Sequence, residues 1–452
     1  MKKQDRPAHD LPSFARYLHR LFDFRHASAG LEDARQQPEI SAPTVFRAVF
    51  HAFVFRLRSF QQLEADLAER SLQSWIGADR AFGDDVLRYS LCGFDLSGLE
   101  QMQVDISRKL KRNKVFDTGR VQGRIVAALD GVEVLSSYSR CCEQCLQRRV
   151  TVKNADGEPE ERIQYYHRAV GCQIISSAVK PFLALEWVAP GEGEDTAALR
   201  LLSRLPERYG SRFFDILLLD SLYPQARVLR LAKQIGWDVV ITLKQEARDL
   251  YQDAMGLFQA RPPDRTFVDQ ANRATRQVRL WQADGLPFSG DYPEPMRVLR
   301  TEETLTRPCR RGGEPDTETT RQTWTWITTL EEPAFAAETV WRLGHDRWKN
   351  ENNGWNDLTQ NWAFKHGFLH ACKHRPRVLT ATGERREVAN RGLAAVALIL
   401  CLAFALFSAF ARLHSKLVRR YRLSMLEVSC QLYRSLWRLQ PPIRAPDPAV
   451  DS

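Results

Sequence analysis

The sequence predicts an α/β fold: a mixed sheet flanked by helices, with an inserted β-rich subdomain and a helical N-terminal domain. Three observations predict it. Residues 124–130 and 213–220 are each a short apolar run closing on an acid, Asp130 and Asp220, the pattern of a buried strand that delivers a carboxylate at its end. The second run is followed by a helical stretch near 225–235 and another buried run at 237–244, and strand, helix, strand in that order is a parallel βαβ unit. From about 255 to 333 this rhythm stops, and alternating runs set among Pro262, Pro263, Pro287, Pro293, Pro295 and Gly312-Gly313 read as inserted β-hairpins.

Taken in order, residues 1–120 form the helical N-terminal domain. Val45, Val49, Phe53 and Leu57 recur at helical spacing behind a capping Ser41 and a first-turn Pro43. A later helix, 96–113, ends in the basic cluster from Arg108 to Lys114. Such an end suits a helix-turn-helix-type DNA reader or a helical dimerisation layer. The first part of the core spans 121–254, with further strands at 169–177 and 182–188 and a helix through Leu199, Leu202 and Leu205. The β-rich insertion follows at 255–333. The second part of the core, 334–440, opens with a long helix through Arg347 and Glu351 and ends in an apolar helix and a basic amphipathic one. Residues 441–452 read as a flexible tail.

The chain has 452 residues, 44% of them hydrophobic and 27% charged, the balance of a folded protein with sizeable cores. Its net charge of +10 favours a polyanionic partner, nucleic acid before an anionic membrane. Nine cysteines in a chain of this length do not make a disulfide framework. The N-terminus has no signal-like apolar segment, so the expected location is cytoplasmic. Residues 393–411 are long and apolar enough for a membrane span, but their alanines and phenylalanines suit a helix buried on all sides of a core, and the core reading is the expectation.

Two acids at strand ends and a third on a later helix is an arrangement that can hold two Mg²⁺ or Mn²⁺ ions, because hard cations take carboxylate oxygens and a bridging carboxylate sets the pair. Each aspartate taken singly also reads as a turn or cap residue. The segments Leu129-Asp130-Gly131, Leu219-Asp220-Ser221-Leu222-Tyr223 and Arg347-Trp348-Lys349-Asn350-Glu351-Asn352-Asn353-Gly354-Trp355-Asn356 together resemble the DDE transposases of bacterial insertion sequences, in the branch with a β-rich insertion before the catalytic Glu. The resemblance covers about 124–373. It implies an RNase H-like fold, Asp130, Asp220 and Glu351 as catalytic metal ligands, and metal-dependent strand cleavage and transfer at the ends of a mobile element. The implied partner is double-stranded DNA, as transposon ends and target, bound by a homodimer on paired ends, with no small-molecule cofactor.

Arg347 lies four residues before Glu351, so both face one side of a helix and the guanidinium can meet DNA phosphate. Gly344 and Leu358 stand where the family usually has Tyr and Lys, which leaves Lys349 or Lys365 to supply the cation. The branch also stacks an aromatic on a flipped base, a role open to Trp324 and Trp326, whose alternation puts both rings on one strand face; packing of the hairpins is the other reading. The same segments leave open a nuclease or resolvase without strand transfer, and a non-catalytic DNA-binding protein.

Cys141-Cys142-Glu143-Gln144-Cys145 contains a CxxC, in a stretch similar to one found in some of these transposases. With His167 and Cys172 downstream, Cys142 and Cys145 make a candidate structural Zn²⁺ site, against the alternative of reduced, unliganded thiols or of a His167-Arg168 pair facing DNA.

Overall fold

Residues 10–154, 156–244, 248–271, 274–289, 291–311, 314–366, 369–370, 377–379, 385–387 and 390–439 are described by the structure, a computed structural model. The tail at 441–452 lies outside them. Helices fill the N-terminal quarter: α1 (Leu11–Phe22), α2 (Phe24–Ala29), α3 (Ala42–Val54), α4 (Phe60–Leu67), α5 (Arg70–Ile76), α6 (Asp84–Cys92) and α7 (Leu96–Arg112). Their starts follow from side chains that satisfy the free first-turn N–H groups. Ser41 accepts from Thr44 N with Pro43 in the first turn of α3, and Asp95 accepts from Ser97 and Gly98 N at α7. Val45, Val49 and Phe53 are buried as their spacing requires. The basic end of α7 is partly committed inside the protein: Arg108 donates to the Arg208 carbonyl and Lys111 to those of Arg212 and Phe213.

The sheet holds β1 (Val126–Ser137), β2 (Leu146–Lys153), β3 (Pro159–Ile174), β4 (Phe182–Trp187), β5 (Ile216–Leu219), β6 (Asp238–Thr242), β7 (Arg265–Ala271), β8 (Ala274–Ser289), β9 (Tyr292–Arg311) and β10 (Glu314–Thr328). Their order is β2-β3-β1-β5-β6-β10-β9-β8-β7, with β4 also on β3. Within it, β4, β3 and β1 are antiparallel neighbours, and β5 and β6 run parallel to β1. Between β4 and β5 lies α8 (Glu194–Tyr209), and α9 (Ala226–Ile235) makes the β5–β6 crossover. This is a mixed sheet flanked by helices with a β-rich insertion. The insertion opens with α10 (Asp249–Gln259) and is continuous with the core sheet, because β10 pairs antiparallel with β6 at Trp326↔Thr242.

The C-terminal part holds α11 (Ala337–Asp346), the short α12 (Trp348–Asn350), a π-helical turn at Glu351–Trp355, α13 (Asn356–Asn361), α14 (Gly392–Ala409), α15 (Lys416–Tyr421) and α16 (Met425–Leu436). The apolar helix Gly392–His414, long enough at 23 residues to cross a membrane, is instead sunk in the protein. It packs against α3, α6, α7 and β4, and Phe407 and Phe410 meet Phe14 edge-on. An all-round apolar surface is what a helix enclosed on every side needs.

Packing also explains Gly344. A Cβ there would lie 2.5 Å from the Trp326 indole, a ring only 1% exposed and stacked on Trp324 at 6.0 Å and 11°. A larger side chain has no room unless Trp326 moves. Gly344→Ala is therefore expected to destabilise the fold by about 1–3 kcal/mol in urea unfolding, outweighing the gain in helix propensity. Adding Trp326→Leu should recover part of that loss, since the two positions share one space. An undiminished stability for the single variant would refute the packing argument.

Candidate metal centre and the acid pair

Asp130 stands inside β1, not at its end as the apolar run suggests: the strand continues to Ser137, and Asp130 faces Gly171 of β3. The parallel ladder with β5 stops at Ala128↔Leu218, so Asp130 and Asp220 each lie two residues past the last matched pair, on neighbouring strands. Both are engaged locally. Asp220 Oδ1 accepts from Leu222 N at 2.8 Å in the turn after β5. Asp130 Oδ1 accepts from Gly131 N at 2.9 Å, and its Oδ2 from Arg347 Nη1 at 3.2 Å. Burial pushes the Asp130 carboxyl up to about 6; Arg347 opposes that shift, and the Asp220 and Glu194 charges reinforce it.

Glu194, the first residue of α8, is an acid that the strand-end pattern misses. It is buried, takes the Tyr223 hydroxyl on Oε1 at 2.7 Å and pairs with Arg168 through Oε2. Gly131 leaves the room: a Cβ there would strike the Glu194 carboxylate.

The helix after Arg347 sits tightly on β3. A Cβ on Gly171 would meet the Trp355 ring at 2.5 Å, Gly354 abuts the Gln173 side chain, and Asn350 Nδ2 donates to Gln173 Oε1 at 3.1 Å. Arg347 is thereby held on Asp130 and over the Trp348 ring at 4.9 Å. Lys349 is half-buried and pairs with Asp346 at 2.8 Å, and Lys365 is exposed. Trp324 and Trp326 share one strand face, as their alternation requires, but only Trp324 is half-exposed. Trp326 lies beneath Gly344, out of reach of a nucleobase.

A different set of donors converges farther along, beyond the C-terminal end of β1. Cys142 and Cys145 occupy the turn between β1 and β2, where Cys145 N donates to the Cys142 carbonyl at 3.1 Å and Cys142 N to Cys145 Sγ at 3.3 Å. Their sulfurs are 3.6 Å apart. His167 of β3 brings Nε2 to 3.4 Å from each sulfur, and His370 brings its Nε2 to 3.1 Å from Cys145 Sγ. All four ligand atoms lie within 4.8 Å of one another. Around a tetrahedral zinc the S–S edge is about 3.8 Å and the S–N edge about 3.6 Å, from Zn–S of roughly 2.3 Å and Zn–N of roughly 2.05 Å. The donor set fits.

Burial holds the His167 imidazole down at about 4 and also lowers that of His370, so both rings are neutral ligands at pH 7. The expected fourth ligand, Cys172, is corrected to His370. Cys172 lies five residues from His167 on one strand, an odd separation that turns it to the opposite face, where it is buried in the core.

No family model matches this chain, and no curated protein matches it. Among solved structures it is similar to a cryo-EM structure of the piggyBac transposase synaptic complex with hairpin DNA, at 11% identity and a TM-score of 0.40, covering 99% of this chain and 84% of that one. A likeness at this level says nothing of activity or partners for the present chain.

The cluster corrects the expected chemistry. Among the described residues, the group of three or more His, Cys, Asp or Glu side chains that converges is Cys142, Cys145, His167 and His370; Asp130, Asp220 and Glu351 form no such group. Cleavage and strand transfer by a DDE transposase with two Mg²⁺ or Mn²⁺ ions is therefore not the activity this arrangement supports. The soft Cys2His2 set suits a structural ion, and the first acid carries a guanidinium.

The acid pair has a measurable signature. The Asp130 carboxyl titrates near 6 in the folded chain and near 3.9 in an unfolded one, so the folded state binds the extra proton between those values. Stability from this group is then greatest below about pH 4 and falls as pH rises through about 6. Asp130→Asn, which removes the buried charge, should be more stable than the parent at pH 7.5 by on the order of 2 kcal/mol and nearly equal to it at pH 4. Thermal unfolding at both pH values checks this; a variant equally destabilised at both would refute it.

Proposed function

We propose that this chain binds double-stranded DNA without cutting it, on an RNase H-like scaffold pinned by one zinc ion. The observation that carries the reading is the division of charge between the two sites. The inward acids are neutralised from within, Asp130 by Arg347 and Glu194 by Arg168, while the chain as a whole keeps a net charge of +10 for an outside polyanion.

Zinc is the ion that two thiolates and two neutral imidazoles select, and a closed four-ligand set leaves no open position for substrate. Cys142, Cys145, His167 and His370 would hold it. Bound there, the ion ties the β1–β2 turn and β3 to the chain that follows the Arg347 helix, a structural role. Lys349 and Lys365 supply phosphate contacts, and the exposed edge of Trp324 with Trp348, which is 37% exposed, offers an apolar contact beside them. Arg347 acts as a positioning residue, holding Asp130 and Trp348.

Purified protein should carry close to one equivalent of zinc. Cys145→Ser and His370→Ala should lose it and Cys172→Ala should keep it; metal analysis that finds zinc unchanged in His370→Ala would refute the ligand set.

Binding to a 30-base-pair duplex, followed by fluorescence anisotropy, should weaken steeply with salt, as counterion release requires. Lys349→Ala with Lys365→Ala should lower affinity severalfold. A flat salt response would exclude phosphate contact. Mg²⁺-dependent nicking of supercoiled plasmid that Asp130→Asn abolishes would overturn the non-cutting reading.

A further inference from the structure

Beyond Ser137 the sheet narrows to a two-stranded ribbon. β2 pairs with β3 alone, from Leu146↔Tyr166 out to Lys153↔Pro159, and most of its side chains are exposed. An isolated pair of strands is at best marginally stable in water. The metal cluster sits at its root: Cys145 immediately precedes β2, His167 lies in β3 one residue past Tyr166, and His370 reaches in from the C-terminal part. The ribbon adds almost nothing to the core, so its construction calls for another reason.

The two faces of the ribbon differ in charge. On one, Arg148 is bound to Glu133 and Gln164 and stacks on Tyr166, and Arg162 is bound to Glu160. On the other, Arg149 and Lys153 are exposed and have no ion pair among the described residues, with Glu161 the acid nearby and Ile163 46% exposed between them and Tyr165. Arg149 and Lys153 are four residues apart on one strand, about 13 Å. That separation is close to the roughly 12 Å width of the B-DNA major groove, which admits a two-stranded β-ribbon. The ribbon leaves the sheet along the direction in which β1 runs from Asp130 to Ser137, the end at which Asp130, Asp220 and Arg347 lie.

We infer that the β2–β3 ribbon is a metal-rooted arm that docks on duplex DNA through its Arg149–Lys153 face. The inference rests on the DNA-binding reading above and names the element that carries it.

The test uses the full chain and a 30-base-pair duplex, with anisotropy titrations from 50 to 200 mM salt. Arg149→Ala with Lys153→Ala should lower affinity roughly tenfold and reduce the slope of log affinity against log salt by about 1.8, the loss of two phosphate contacts. Zinc content and thermal stability should stay at parent values. Arg162→Ala, on the opposite face, should bind like the parent. If the parent does not bind duplex DNA, the function reading fails. If the parent binds and the double variant binds equally well, or Arg162→Ala weakens binding as much, the arm is not the docking element and this inference fails.

Discussion

The seat of the Arg347–Asn361 helix on β3 is the constraint from which both sites follow. Gly171 lets the Trp355 ring lie directly on the strand, and Gly354 lets the helix backbone close on Gln173. Interiors are packed to near-crystalline density, so contacts this close fix the position of a helix to a fraction of an ångström. At its start the seat puts Arg347 on Asp130. Past its end, the chain returns to β3 and brings His370 to a sulfur 225 residues away in sequence. One packing decision therefore sets the electrostatics of the acid pair and completes the soft donor set.

What the sequence shows and what it hides divides along range. The βαβ unit, the Ser41 cap and the shared face of Trp324 and Trp326 are local patterns, written in a few consecutive residues, and they appear in the fold. Asp130 reads as a strand end because Gly131 and Glu133 break the apolar run, yet the strand continues by pairing with β3, forty residues on. The hairpins of the insertion are legible, but their attachment to β6 through β10 is a long-range pairing that no local pattern encodes. Gly344 looks like a defect in a signature until Trp326 is seen filling its space.

The metal set shows the same division more sharply. The CxxC and His167 are close enough in sequence to be read together. The parity of a strand argues against Cys172, because residues five apart point to opposite faces however close they lie along the chain. His370 carries no such signal. It stands 203 residues after His167, and only the return of the chain past α13 makes it a neighbour.

Two ways of stabilising converging polar groups operate a few residues apart along β1. Like-charged carboxylates on adjacent strands cannot both stay ionised in a buried place at no cost, and a proton, a guanidinium or a hard cation can relieve them. Here Arg347 is already in contact, and burial raises the Asp130 carboxyl despite it. Thiols and imidazoles that are neutral when empty carry no such repulsion, so Cys142, Cys145, His167 and His370 can assemble first and admit an ion by releasing protons. Asp130 is thus met by the protein's own cation, and Asp220 by the Leu222 N–H of its turn. The cations left over, Arg149 and Lys153 on the ribbon among them, face solvent, where a polyanion would meet them.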